Sequence, residues 1–248
     1  MERRVVIWPT PDGVAHGRLF LPDGGPAPLV VFCMDALGLR PALDVMAARF
    51  VDAGYAVVQP ELYWRSGPYA PFDAATTFSD PAERARVMAL MNALRPSDVI
   101  ADVGALLDAI HATDDVLAGP VGVVGYCMGG RQALFLAGAL GDRVAAMASI
   151  HGGGLVRPDA TSPHLGAPNI RARLYFAVAD RDASCTDADC AVLAATLTAS
   201  GVQHQIERYP GALHCFAVPD FTVYDEAAAE QHYARVLDLF AGALARPA

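Results

Sequence analysis

Short apolar runs and amphipathic stretches alternate along this chain with few interruptions. Residues 5–8 and 18–21 are apolar-rich runs set off by "PTPDG" and "HG", which predicts an antiparallel pair at the N-terminus. "LVVFCM" (29–34) is six apolar residues in a row, the pattern of a strand covered on both faces. Residues 42–53 then read as a helix with Val45, Met46, Phe50 and Val51 on one side, ended by Gly54. "AVVQP" (56–60) reads as the next buried strand. From 61 to 94 the pattern weakens into an excursion rich in aromatics, prolines and small polar residues, the kind of segment that forms lids or substrate loops. Within it a helix is expected from Pro81, with Asp80 as its N-cap, toward Leu94. Ser97 is expected to cap a stronger helix carrying Ile100, Val103, Leu106, Leu107 and Ile110 at helical spacing. Further strands are predicted at 121–124, 145–151, 174–178 and 203–209, with helices at 129–139 and 189–200. A terminal helix from Asp225 places Tyr233, Val236, Leu237, Phe240 and Leu244 on one face.

Strands alternating with helices imply an α/β fold: a mostly parallel central sheet of about eight strands with helices on both faces. Neither a repeat nor a linker interrupts it, so residues 1–248 are expected to form one domain. In such sheets function gathers in loops at the carboxyl ends of the strands. That rule singles out Asp35, Cys127, and the segments after "LYFAVA" and "QIERYP".

Composition narrows the classes. The chain is 54% hydrophobic and 18% charged, which gives ample core and too little charge for disorder. Its formal charge of −9 and the lack of a basic patch argue against a nucleic-acid partner. No apolar run approaches the roughly 18 residues needed to cross a bilayer. "MERRVVIWPTPDG" is too short in apolar residues for a secretory or twin-arginine signal, so a soluble, cytoplasmic monomer or small homo-oligomer is expected. The five cysteines, Cys33, Cys127, Cys185, Cys190 and Cys215, then read as reduced thiols. Cys185 and Cys190 fit neither a CxxC redox pair nor half of a common zinc site.

The stretch "GVVGYCMGG" carries the chemistry. Gly122 and Gly125 do not fit the dinucleotide-binding GxGxxG, whereas Gly125-Tyr126-Cys127-Met128-Gly129 fits GxSxG with sulfur in place of oxygen. That elbow needs small residues beside the nucleophile because strand and helix pass close together there. A nucleophile needs a base and a group to orient it. "LYFAVADRD" offers Asp180 and Asp182, and "YPGALHCFAVPD" offers His214 just past the last strand. His16, His111, His204 and His232 read as surface or packing residues, while His151 and His164 are candidates for lining a cleft.

Taken together in this order, "CMDALGL", "DAGYAVVQPELYWR", "GYCMGGR", "ADRD" and "YPGALHCFAVPD" resemble the dienelactone hydrolase family of α/β-hydrolases over most of the chain. The resemblance implies hydrolysis of an ester or lactone by Cys127 as nucleophile, His214 as base and Asp182 as its partner. Asp182 is preferred to Asp180 because it takes the last place in the family's turn. The backbone N–H groups of Ala36 and Met128 are the expected oxyanion donors. Asp35 stands where well-known members have a glutamate that contacts the nucleophile. It reads equally as a modulator of Cys127 or as a loop cap. Arg86 falls where one substrate-binding arginine would lie, or is a solvated helix arginine; the second expected arginine is Val218 here. Tyr63, Trp64 and Phe72 offer an apolar wall instead. No metal or organic cofactor is implied. The rival readings are a general carboxylesterase or thioesterase on the same triad, and a non-catalytic domain that binds a ligand or senses redox state through Cys127.

Overall fold

A computed structural model describes residues 1–244; positions 245–248 of the expected domain lie outside the described residues. Strands β1 (Glu2–Thr10) and β2 (Gly13–Leu21) pair antiparallel from Glu2 opposite Leu21 to Thr10 opposite Gly13. Both are longer than the apolar runs that announce them. β1 is an edge strand whose outer face leaves Val5 and Ile7 exposed, and an edge tolerates Pro9 because it has one partner only. His16 and Gly17, which set off the second apolar run in the sequence, therefore lie inside β2. Gly17 is needed there: a Cβ would overlap the Gln59 carbonyl where β2 crosses β4.

The other strands are β3 (Leu29–Cys33), β4 (Ala56–Pro60), β5 (Val121–Tyr126), β6 (Val144–Ile150), β7 (Arg173–Ala179) and β8 (His204–Tyr209). They complete one eight-stranded sheet in the order β1-β2-β4-β3-β5-β6-β7-β8. β2 meets β4 antiparallel, and every pairing from β4 to β8 is parallel. Every residue of β3, β4 and β5 is buried, as near-continuous apolar runs require of strands covered on two sides; the polar exception, Gln59 of β4, donates to Leu43 O.

The covering helices are α1 (Pro41–Asp52), α2 (Pro81–Ala93), α3 (Pro96–His111), α4 (Met128–Leu140), α5 (Asp187–Ala199) and α6 (Glu226–Ala241). α1 and α6 share one face, where Phe50 meets Tyr233 and Phe240. α3 and α4 pack together on the other. Two expectations need correction. Val45 is 61% exposed, since the buried face of α1 runs through Leu43, Met46, Ala47, Phe50 and Val51. Ser97 does not cap α3: Pro96 takes the first helical position, Arg95 becomes the N-cap residue, and the Ser97 hydroxyl turns to Asp98. Asp80 does cap α2, accepting from the amides of Ala82 and Glu83, and Asp225 caps α6.

β3 lies between β4 and β5, so the chain leaves β3 toward one side of the sheet and leaves β5 toward the other. The two departing loops diverge at this switch point and open a crevice at the carboxyl end of the sheet. Among the described residues no helix is long and apolar enough to cross a membrane.

Candidate active site

Cys127 occupies the turn between β5 and α4 with φ 52° and ψ −114°, a conformation that non-glycine residues seldom adopt. Close packing enforces it. A Cβ on Gly125 would overlap the Gly129 carbonyl, one on Gly129 the carbonyls of Cys33 and Met34, and one on Gly130 the Ser149 hydroxyl. The turn is also tied from both sides: the Cys127 amide donates to Ile150 O (3.1 Å), and its carbonyl accepts from Gly130 (3.1 Å) and Gly153 (3.4 Å). The half-buried thiol thus stands at the N-terminus of α4, in the crevice.

His214 reaches it from the loop after β8. The imidazole Nε2 lies 3.1 Å from Cys127 Sγ, and Nδ1 lies 2.6 Å from Asp182 Oδ2. Asp182 Oδ1 in turn accepts from the Ser184 amide (2.8 Å) and hydroxyl (2.6 Å). Asp180 has a different place. Its amide donates to Ala212 O (2.7 Å) and its carboxylate accepts from the Gly211 amide (3.2 Å), so it holds the histidine loop while Asp182 meets the ring.

These contacts favour separated charge. The neighbouring Cys215 thiol, followed by His214, holds the Cys127 pKa well below the ordinary thiol value against the cost of burial. Burial opposes charge on His214, but the Cys127 thiolate and Asp182 outweigh it and raise the imidazole to about 10. Burial likewise pushes Asp182 up, and His214 and Ser184 bring it below the usual carboxylate range. Both shifts act in the same direction, toward a charged sulfur facing a charged imidazole. His151, behind β6 with φ 39°, packs 5.5 Å from the His214 ring, and burial keeps it neutral. His164 bonds Ser162 Oγ at 2.6 Å in a buried position, and neither histidine offers an exposed cleft lining.

Asp35 is a buried loop anchor. Its oxygens accept from Arg40 Nη1 (2.7 Å) and Nη2 (2.8 Å), and Oδ1 also accepts from the Leu37 amide (2.9 Å). Burial raises its pKa and Arg40 offsets this only in part, while the nearby Cys127 thiolate adds to the rise. Arg40 continues to Asp220 with bonds of 2.6 and 2.9 Å, joining the β3–α1 loop to the chain beyond His214. Ala36 is buried, and the Tyr63 hydroxyl donates to its carbonyl at 3.0 Å, within 3.1 Å of Met128 Sδ. The Met128 amide points at the Cys127 sulfur.

Three expected substrate contacts are placed elsewhere. Tyr63 is only 1% exposed and braces the Ala36 loop, so it presents no wall. Trp64 donates to Asp102 of α3 (2.8 Å) and, with Phe72, Tyr69 and Leu37, lines a cavity of about 360 Å³ whose lining does not include Cys127. Arg86 bonds Glu83 and the carbonyls of Ala70 and Pro71, and its guanidinium lies 4.2 Å from the Phe72 ring centroid. It fastens the excursion rather than facing solvent freely. Val218 is fully buried.

Sequence reasoning passed over two neighbours of the thiol. Cys215, with φ 71°, brings its sulfur into a cluster with Cys127 and His214 whose ligand atoms all lie within 4.8 Å; among the described residues this is the one group able to hold a thiophilic ion. Arg131, one turn along α4, lies against Gly154 and is felt electrostatically by Cys127. Among the described residues no side-chain hydrogen bond or ion pair engages its guanidinium. Its place in "GYCMGGR", four positions after the thiol on a helix, was the available signal.

The profile of the dienelactone hydrolase family matches residues 15–244. Carboxymethylenebutenolidase 1 of Cupriavidus pinatubonensis is 30% identical over 224 residues, 89% of this chain and 88% of that enzyme. A carboxymethylenebutenolidase of Pseudomonas sp. (strain P51) is 33% identical over 126 residues, about half of each chain (49% and 51%). A crystal structure titled as a putative dienelactone hydrolase from Klebsiella pneumoniae superposes with a TM-score of 0.82 over 97% of this chain and 99% of that one, at 21% identity. The strand order, the elbow and the matched length converge: this chain belongs to the dienelactone hydrolase family, among the ester and lactone hydrolases of the α/β-hydrolase fold.

Proposed function

We propose that the chain hydrolyses an ester or lactone through a thioester formed on Cys127. The thiolate attacks the carbonyl carbon, whose π electrons move to oxygen and are met by the amides of Ala36 and Met128. Collapse of this intermediate expels the alkoxide, which takes the proton from His214 Nε2. The now neutral imidazole removes a proton from water, the hydroxide attacks the thioester, and the carboxylic acid leaves as the thiolate–imidazolium pair returns. Asp182 holds the ring through Nδ1 in both half-reactions. The observation that supports the reading is the chain of contacts from sulfur to imidazole to carboxylate, at 3.1 and 2.6 Å.

For substrates that carry a carboxylate, Arg131 is the cation we assign to it. Arg86 is occupied, and no arginine stands at Val218.

Hydrolysis of p-nitrophenyl acetate by wild type, Cys127→Ala and His214→Ala tests the mechanism. Each variant should lose on the order of 10⁴-fold or more in kcat, and mass spectrometry of the quenched wild type should find acetyl on the peptide that contains Cys127. Equal rates in all three proteins would refute it. A redox-sensing domain would show no turnover in any of them.

A further inference from the structure

Cys185 and Cys190 are five residues apart, a spacing that suggests no redox pair, yet their sulfurs lie 3.7 Å from one another. The intervening turn explains this. Thr186 caps α5 through a capping box with Asp189, which folds the chain back so that the first helical turn sets Cys190 beside the loop thiol. Cys185 is buried, and Cys190 is half-exposed. Arg208 Nη2 stands 3.8 Å from the Cys190 sulfur, and that sulfur sits at the positive end of α5. The Cys185 thiol, with help from Arg208 and against partial burial, lowers the Cys190 pKa to about 7, which favours its thiolate. The contact with Cys190, and then burial, push Cys185 the other way, so it remains a thiol. A reachable thiolate with a protonated thiol in contact is the arrangement of a peroxide-reactive pair.

We propose that Cys190 and Cys185 form a reversible redox site that hydrogen peroxide closes to a disulfide. The Cys190 thiolate attacks one peroxide oxygen, the O–O bond breaks, and sulfenic acid forms as hydroxide leaves and is protonated to water. The Cys185 sulfur then attacks the sulfenic sulfur; the S–O bond breaks, and the departing hydroxide takes the Cys185 proton as a second water. The two thiols lose two electrons, and peroxide gains them. A small dithiol reverses the change by exchange. The new bond would pin the segment after Asp182 to α5. That segment includes Ser184, whose hydroxyl binds Asp182 at 2.6 Å and lies 3.3 Å from His214 Nδ1. The site is chemically independent of hydrolysis at Cys127.

Trypsin separates the thiols, because residues 182–208 hold Cys185 and Cys190 and no other cysteine, while Cys33, Cys127 and Cys215 fall on other peptides. Purified protein is titrated with hydrogen peroxide, alkylated, digested and weighed. The 182–208 peptide should lose two hydrogens at peroxide levels that leave Cys33 reduced, since burial pushes that thiol up to about 12. Dithiothreitol should restore both thiols. Cys190→Ser should abolish the loss, Cys185→Ser should convert Cys190 to sulfinic acid, and Cys127→Ala should change neither result. A 182–208 peptide that stays reduced, or that gains oxygen in the wild type without losing two hydrogens, would overturn the proposal.

Discussion

The elbow around Cys127 and the excursion between β4 and α3 are both irregular, but they are held in opposite ways. At the elbow the constraint is steric and lies in the main chain: Gly125 and Gly129 approach carbonyls so closely that neither tolerates a Cβ. In the excursion, side chains do the holding. Tyr69 bonds Glu61 at 3.1 Å, Tyr63 and Tyr69 meet edge to face at 5.8 Å, and Arg86 clips Ala70 and Pro71 to α2. Gly67, in the same excursion, has φ 75° and open space around it. Cys127 thus sits on a stretch of main chain fixed by steric contact, while the aromatic-rich excursion is held by side-chain bonds that can be removed one at a time.

The sharpest test falls on the charges that the rigid elbow faces. Asp182→Asn should lower kcat by about 10⁴-fold, because the amide no longer favours the working tautomer. Asp182 also helps to raise His214 to about 10, so the variant's alkaline limb should move to lower pH in a pH–rate profile. The sign carries over to stability. A raised imidazole pKa stabilises the fold fully below the unfolded value of roughly 6.5. That contribution is lost as pH rises through about 10, and denaturant melts at pH 7 and above 10 should show the gap narrowing between wild type and variant.

Next in size is the main-chain contrast. Gly129→Ala should cost about 3 kcal/mol or more through forced displacement of the end of β3, a fall in Tm of roughly 6–12 °C. Gly67→Ala, strained in backbone conformation (φ 75°, ψ −175°) but with open space around it, should cost less, about 2 kcal/mol. Equal Tm values for the two would erase the distinction drawn above.

The smallest effects separate the two arginines. Arg86→Ala removes a partly exposed ion pair and two carbonyl contacts, about 1 kcal/mol after solvent screening. It should change KM for carboxylated and neutral esters by the same factor. Arg131→Ala should raise KM about tenfold for carboxylated esters alone, the effect of losing one charged hydrogen bond. The reverse pattern would return the carboxylate to the excursion.

The alternation of strands and helices, the elbow at Cys127 and the loops that carry Asp182 and His214 were legible because local signals mark them. The order of strands in the sheet was not, and the choice of Asp182 over Asp180 rested on the family resemblance. Near-continuous apolar runs mark β3 to β5, glycines mark close approach, and strand ends mark where loops gather. What stayed hidden depends on meetings that spacing does not report. Arg40 and Asp220 are 180 residues apart, and neither has a pattern that names the other. Tyr63 and Trp64 are neighbours in an aromatic run, yet the first turns inward to Ala36 and the second toward Asp102, which no propensity distinguishes. Cys185 and Cys190 miss every common motif and meet only because a helix cap turns the chain back. Ser97 was the plausible cap until the ring of Pro96 claimed the first helical position.

The bridge from Asp35 through Arg40 to Asp220 has a wider meaning for how the crevice works. One guanidinium spans it, with the loop that carries Ala36 on one side and the stretch following His214 on the other. The spacing of these two loops is therefore tied by side chains of the protein itself. Because the Arg40–Asp35 pair is almost wholly buried, salt should screen it little, and removing the guanidinium would free both loops at once while leaving Cys127, His214 and Asp182 in place.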